Sequence, residues 1–285
     1  MKPIFENKNN YNDIPIVVTT QPNLNNLAHW HADVEFILVF EGPIQMGINT
    51  ESRLLEAGDM AICISNDIHY FVTKKSSSTL VIKFLPELID GSGSWQKHHF
   101  VPPFIQKKFV DKKNGLKSRV YEDILELFRA LVHERQRQND YFTIVMKGKL
   151  LELCGMFLRH LPKEESESAL ARSSSGIRLV QAAVEYMEQN YMHSISLDDI
   201  SKTLNVSPHY FSRIFNKTIG MNLKTYQNQL RLNKAESMIL TENAAITDIA
   251  YECGFNSIRT FNRCFRLVKG YTPTDLRKTS VRASP

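Results

Sequence analysis

Residues 199–220 read DISKTLNVSPHYFSRIFNKTIG, and residues 248–270 read DIAYECGFNSIRTFNRCFRLVKG. They are two copies of one unit. Phe211, Arg213, Phe215 and Gly220 return fifty residues later as Phe261, Arg263, Phe265 and Gly270. Asp199-Ile200 and Asn205-Val206 return forty-nine residues later as Asp248-Ile249 and Gly254-Phe255. In the first copy, Ser196 is placed to cap a short helix, with Asp198 and Asp199 in its first turn. That helix is expected to end near Leu204. Asn205 tolerates the left-handed turn that follows, and Gly254 adopts it freely in the second copy. Ser207 then caps a second helix, with Pro208 at its first position, where a missing N–H costs nothing. A repeat of helix-turn-helix size, basic on its recurring face, points to DNA.

The second helix of each unit has two faces. Tyr210, Phe211, Ile214 and Phe215 form an apolar side opposite His209, Ser212, Arg213 and Asn216. In the second copy Asn256 or Ser257 is the expected cap, and Phe261 and Phe265 pack. Ile258, Arg259, Asn262, Arg263 and Arg266 face outward. An α-helix fits the major groove, and Arg can grip guanine with two hydrogen bonds. Between the units a long helix is expected, with Tyr226, Leu230, Ala235 and Met238 or Ile239 as its buried stripe. A rigid connector would hold two reading helices at a fixed separation. The copies are not equal: Ala245 stands where Ser196 stands, and losing that cap costs about 1 kcal/mol.

Charge follows the repeat. The whole chain has 285 residues and a net charge of +5. Residues 172–285 carry 15 Lys/Arg against 9 Asp/Glu, whereas residues 1–171 carry 20 against 21. The basic excess sits where phosphates would be met. Lys217, Lys269 and Lys278 read as surface charges, with phosphate contact open to any of them. Cys63, Cys154, Cys253 and Cys264 form no CxxC pair and read as small buried residues, reduced in a cytoplasm. Met1 to Asp13 lacks the apolar stretch of a secretory leader, and no apolar run reaches transmembrane length. The expectation is a cytoplasmic protein with no membrane partner.

Upstream of the repeat the pattern changes twice. Val34 to Phe40, Ala61 to Ile64 and Thr79 to Ile82 are strand-like runs separated by Gly, Asn, Asp and Ser. Such a series suggests a barrel or sandwich. Tyr121, Ile124, Leu125, Phe128, Leu131 and Val132 then follow helical spacing. Ile144, Leu151, Cys154, Leu158 and Leu161 make a second stripe after a polar turn. These two helices form a hairpin that packs on the barrel or pairs with another chain. Pro162 to Gly176, rich in Ser and Glu, reads as a linker. The expected fold is therefore an α+β multidomain chain. Residues 1–110 form a β-barrel, 111–161 a helical hairpin suited to dimerisation, 162–176 a linker, and 177–285 an all-α double helix-turn-helix.

The stretch Ile195 to Lys278 resembles the DNA-binding domain of AraC-type (AraC/XylS) bacterial transcription regulators. The resemblance rests on Leu204 to Phe211, Gln229 to Ala235, Asp248 to Phe255 and Gly270 to Pro273, in the family's order and spacing. It implies that His209, Ser212 and Arg213 of the first unit, and Ile258, Arg259 and Arg263 of the second, contact bases. Ile258 departs from a polar reading residue and could touch only a thymine methyl or pack. The partners it implies are a double-stranded DNA operator, RNA polymerase, a second copy of the chain and a small-molecule effector, by analogy a carbohydrate. The expected role is a transcription activator.

His29-Trp30-His31, Glu35, Gly42, Gly58 and His69 resemble the cupin motif, a small barrel that binds metal or small molecules in its mouth. Ile64, Asn66 and Thr73 depart from the motif's second half. Three readings stay open: His29, His31, Glu35 and His69 hold Mn, Fe, Zn or Ni, they line an organic effector site, or the histidines are structural. The effector reading is adopted, with His29, Trp30, His31, Glu35 and His69 around the effector, Trp30 suited to stacking on a sugar, and no metal or other cofactor. The competing reading is a metal-dependent cupin enzyme fused to a DNA-binding tail. No GxSxG elbow and no glycine-rich phosphate loop supports hydrolysis or nucleotide binding, so the chain is not expected to be an enzyme.

Overall fold

The computed structural model describes residues 14–73, 75–89, 95, 99–112, 115–164 and 167–282. The chain divides between Ile177 and Arg178 into two compact units. The first is built on two antiparallel sheets. One has β1 (Ile16–Pro22), β8 (Ser78–Phe84), β3 (Val34–Glu41), β6 (Met60–Cys63) and β10 (Phe104–Ile105) in that spatial order. The other has β2 (Asn26–His29), β7 (His69–Val72), β4 (Ile44–Ile48) and β5 (Glu51–Leu55). Successive side chains on a strand point to opposite faces, and both faces of the larger sheet are apolar. Ile37, Val39, Ala61, Cys63 and Val81 cluster with Ile44, Met46, Ile48 and Phe71 of the smaller sheet. Phe36, Leu38, Ile62, Leu80, Ile82 and Phe84 cluster with the helices beyond. Burial on both faces explains why Val34 to Phe40 is a continuous apolar run instead of an alternating one.

The helical layer is α1 (Ser118–Arg137) and α2 (Phe142–His160). Tyr121, Ile124, Leu125, Phe128 and Leu131 are buried, as the spacing predicts. The hairpin thus packs on the sheet, with Phe157 of α2 against Phe36 of β3 at 4.8 Å between ring centroids. Tyr121 also donates to the Gly58 carbonyl at 2.7 Å. The stripe expected on α2 is only partly right. Its buried residues are Met146, Leu150, Leu153, Cys154 and Phe157. Ile144 is 68% exposed and Leu151 37% exposed. The helix carries two apolar stripes, and periodicity alone does not say which one meets the sheet.

Most described residues of the stretch read as a linker lie in regular elements. Lys163–Glu164 forms strand β11, paired with β9 (His99–Phe100), and helix α3 runs unbroken over Glu167–Gln189. The Ser-rich composition is interspersed with Glu, Ala, Leu and Arg and carries no Pro beyond Pro162. Extending an existing helix costs far less than starting one, so the stronger helical sequence that follows is continued backwards through it.

In the second unit α3 is followed by α4 (Leu197–Thr203), α5 (Pro208–Ile219), α6 (Leu223–Thr241), α7 (Ile246–Glu252), α8 (Ile258–Lys269) and α9 (Pro273–Arg282). Val180, Ala183, Val184 and Met187 are the buried residues of α3 in this unit. The copies of the repeat are therefore α4–α5 and α7–α8, with α6 between them. No described helix is long and apolar enough to cross a membrane.

Candidate functional site

The first helix-turn-helix is tightly specified at its local joints. Ser196 and Asp199 cap each other reciprocally: the Asp199 amide donates to Ser196 Oγ at 3.1 Å, and the Ser196 amide donates to Asp199 Oδ2 at 3.0 Å. Asn205 takes the left-handed turn at φ 53°. Ser207 Oγ accepts from the Tyr210 amide at 3.3 Å, with Pro208 at the first helical position. Phe211 and Phe215 are buried, which leaves His209, Arg213 and Asn216 of α5 exposed and Ser212 half-buried. The Arg213 guanidinium lies 5.8 Å from the Tyr210 ring centroid.

The second copy has the same frame with weaker starts. Ala245 supplies no cap to α7, and Ser257 precedes α8 without a side-chain cap, contrary to the expected role of Asn256 or Ser257. Gly254 turns at φ +84°. Phe261 and Phe265 are buried, while Arg259, Asn262, Arg263 and Arg266 are exposed. Ile258 is half-buried against the core of this unit. Of the six expected base contacts, Ile258 is the one that packs on the hydrophobic core, and Ser212 is also half-buried. Asn262, Arg263, Arg266 and Leu267 line a groove whose other wall is Thr272, Pro273 and Thr274. Lys269, read as a surface charge, is paired internally: its Nζ is 2.6 Å from Glu236 Oε2 and donates to Asn233 Oδ1 at 2.9 Å.

Helix α6 spans about 28 Å at 1.5 Å per residue and anchors both copies. Its Arg231 is only 6% exposed. Arg231 donates to the carbonyls of Tyr191 at 2.6 Å and His193 at 2.7 Å, while Gln227 donates to His193 O at 2.6 Å. The turn they hold also meets the second copy, because a Cβ on Gly254 would stand 2.3 Å from Met192 O. The Phe255 ring lies 5.9 Å from the Arg231 guanidinium. One joint therefore ties the end of α3, the connector and the second turn together.

In the first unit the other candidate residues converge. Register places Glu35 opposite Lys83 on β3 and β8, and His29 opposite His69 on β2 and β7. Glu35 Oε2 lies 2.9 Å from His31 Nε2, 3.1 Å from Lys83 Nζ and 3.4 Å from His69 Nε2. Each histidine Nδ1 faces a backbone carbonyl: Leu27 for His29, Asp33 for His31 and Asp67 for His69, at 2.8–3.1 Å. A carbonyl only accepts, so Nδ1 carries a proton in all three and Nε2 is left to face the centre. Nε2 of His29 and of His69 has no hydrogen-bond partner; the 3.4 Å approach of His69 to Glu35 is an ion-pair distance, not a directed bond. Burial pushes His29 well below its ordinary pKa and lowers His69 too. Burial alone would raise Glu35, but the Lys83 ammonium and the adjacent His31 and His69 rings hold it well below the usual range. Ligand atoms of His29, His31 and His69 all lie within 4.8 Å of one another. With Glu35 they fit a divalent transition metal in donor type and in the carbonyl-fixed orientation of each ring. Trp30 is buried and joins none of the ring contacts among the histidines, so a sugar could stack on it only after its neighbours moved.

Residues 200–279 match the family described as a helix-turn-helix domain. The transcriptional activator RhaS of Escherichia coli O1:K1 is 27% identical over 160 residues, 56% of this chain and 56% of that protein. The matched segment, which holds both copies of the repeat and the connector α6, is thus similar to the DNA-binding domains of AraC-type regulators. The Msm operon regulatory protein of Streptococcus mutans is 24% identical over 245 residues, 86% of this chain and 83% of that one. The chain spans about half the length of the RhaS proteins it matches. Among solved structures, an AraC-type DNA-binding regulator from Chromobacterium violaceum is 29% identical, covering 39% of this chain and 98% of its own, with a TM-score of 0.36. Wild-type ToxT of Vibrio cholerae is 12% identical over 91% of this chain and 94% of its own, with a TM-score of 0.42.

Sequence reasoning found the turns of the AraC-type domain and most of its caps. It missed the Arg231 joint, whose partners are backbone carbonyls and leave no trace in residue identity. It also missed Lys83, which lies on a strand far along the chain from the motif it completes. A second reciprocal cap was equally legible but passed over: the Asp275 amide donates to Thr272 Oγ1 at 3.1 Å, just ahead of α9.

The first cap gives a test. Ser196→Ala should destabilise the AraC-type domain by about 1 kcal/mol at neutral pH, read by urea unfolding. The bonds with Ser196 hold the Asp199 carboxyl below its ordinary value. A carboxylate with a depressed folded pKa contributes stability above its unfolded value of about 4 and loses it as pH falls through the folded one. The gap between wild type and variant should therefore narrow in acid; a gap of constant size down to about pH 3 would contradict the reciprocal cap.

Proposed function

We propose that the chain is a sequence-specific DNA-binding transcription regulator, acting as an activator and controlled by a small molecule sensed in its sheet unit. The observation that carries this reading is the pairing of two exposed polar helix faces, on α5 and α8, with one connector anchored to both. Successive major grooves on one side of a duplex are about 34 Å apart, a spacing that a rigid connector serves and a flexible one does not. His209, Ser212 and Arg213 read one sub-site. Arg259 and Arg263 read the next, with Ile258 contributing a methyl contact at most. The relatives are regulators by name, which favours a sensor over a catalytic centre at the histidine cluster. RNA polymerase is the expected partner of an activator, and the cytoplasm its place of action.

A second copy of the chain is the partner proposed for α2. Tyr141, Ile144, Val145 and Leu151 are exposed, and a Cβ at Gly148 or Gly155 would meet nothing within 4 Å. Positions 141, 144, 148, 151 and 155 alternate steps of three and four, the spacing of a helix–helix seam. The effector, of carbohydrate class by the family resemblance, is proposed to be read around His29, His31, Glu35 and His69, with Trp30 beside them.

Three measurements test these assignments. Arg213→Ala and Arg263→Ala should each weaken operator binding by about 1–3 kcal/mol while sparing much of the affinity for random DNA. Equal losses on both DNAs would move these arginines to phosphate contacts. Ile144→Asp with Leu151→Asp should shift sedimentation from dimer to monomer without lowering the melting temperature of the first unit, because neither side chain is in its core; an unchanged dimer removes α2 from the interface. A panel of sugars should contain one that raises the melting temperature of wild type and not of His69→Ala, and a panel without such a sugar would reject the carbohydrate reading.

A further inference from the structure

Lys83 occupies the histidine cluster in a way the cupin resemblance does not anticipate. It sits on β8 directly across from Glu35 on β3. Its Nζ is 3.1 Å from Glu35 Oε2 and 3.4 Å from His31 Nε2. Those are two of the four donors that a metal ion would use. Of the other two, Nε2 of His29 is buried with no hydrogen-bond partner among the described residues, and Nε2 of His69 has only its 3.4 Å approach to Glu35. A buried acceptor left unpaired costs the desolvation of that group with nothing in return. The cluster therefore has four inward-facing donors, an internal cation that engages two of them, and two that this cation does not engage.

We propose that Lys83 is a built-in competitor for a divalent transition metal at the site formed by His29, His31, Glu35 and His69. Its ammonium and the metal need the same carboxylate oxygen and the same imidazole nitrogen, and two cations that close repel strongly in a buried setting. Metal entry thus requires the ammonium to leave. The Lys83 side chain is 13% exposed, and its stem is flexible, so the head group has a way out to water. With Lys83 in place Glu35 is neutralised and the site is weak for metal. With Lys83 withdrawn, three imidazoles and a carboxylate form a complete set of transition-metal ligands. The inference does not depend on the DNA-binding reading, since every residue in it belongs to the first unit.

The experiment is a cobalt(II) titration of the full-length protein after chelator treatment, followed by visible absorption and by metal-to-protein ratio. Lys83→Met keeps most of the stem and removes the charge; Lys83→Arg keeps a charge. Lys83→Met should bind one cobalt per chain about 10–100-fold more tightly than wild type, the span over which groups beside metal ligands tune affinity. Lys83→Arg should stay at the wild-type affinity, and adding His69→Ala to Lys83→Met should abolish the gain. Circular dichroism confirms that each variant is folded, and Lys83→Ala replaces Lys83→Met if the latter is not. Equal affinity in wild type and Lys83→Met overturns the proposal, as does a folded charge-free variant that binds no cobalt, or binding that survives His69→Ala. Wild type gives a readout free of any variant: at saturating cobalt, Lys83 should be acetylated faster by an amine-specific reagent, and unchanged labelling with metal bound counts against displacement.

Discussion

The second unit depends on one buried guanidinium. Among the described residues Arg231 bonds no carboxylate; it is held by the carbonyls of Tyr191, Met192 and His193. These carbonyls follow the end of α3, where helix dipoles leave partial negative charge. Burial lowers the Arg231 pKa without threatening its charge, since guanidinium is far from neutral at any physiological pH. The same carbonyl segment leaves no room for a side chain at position 254. So a single joint fixes where α6 leaves α3 and where α7 turns into α8. Helix α8 takes its placement from this joint, and α5 packs on the same connector through Phe215 and Tyr226.

The distinction between what the sequence disclosed and what it hid is a distinction between local and distant partners. Ser196 with Asp199, Ser207 with Pro208, and Asn205 in its turn each act within a few residues, so their chemistry is visible in the string itself. The strand run Val34 to Phe40 and the α1 stripe were legible for the same reason. The second apolar stripe of α2 was misassigned because Ile144 and Leu151 satisfy helical spacing as well as Met146, Leu150 and Phe157 do. The supposed linker was misread because Ser and Glu are common in loops yet tolerated in a helix that is already growing. The Arg231 joint and the Glu35–Lys83 pair were invisible because their partners are set by tertiary register.

The two copies of the repeat share a frame and differ in how firmly each end is held. α5 starts on a capped, proline-led turn. α8 starts without a side-chain cap but is latched at its far end, where Lys269 bridges to Glu236 and Asn233, and Tyr271 donates to Glu236 Oε1 at 2.6 Å. Both end on a left-handed glycine, Gly220 and Gly270. The first helix is fixed from its beginning and the second from its end.

The pairing of Glu35 with Lys83 also bears on how the first unit finds its fold. On a strand, a slip of one residue moves every side chain to the opposite face. The larger sheet is apolar on both faces, so hydrophobicity alone would punish such a slip weakly. Glu35 changes that. Displaced by one position, its carboxylate would face the aromatic rings of Phe84 and Phe157, stripped of Lys83 and the histidines, and an unpaired buried charge is among the costliest defects a core can hold. A polar cluster in the middle of an oily sandwich thus works as a locating pin, rejecting misaligned strands during assembly whatever it later binds.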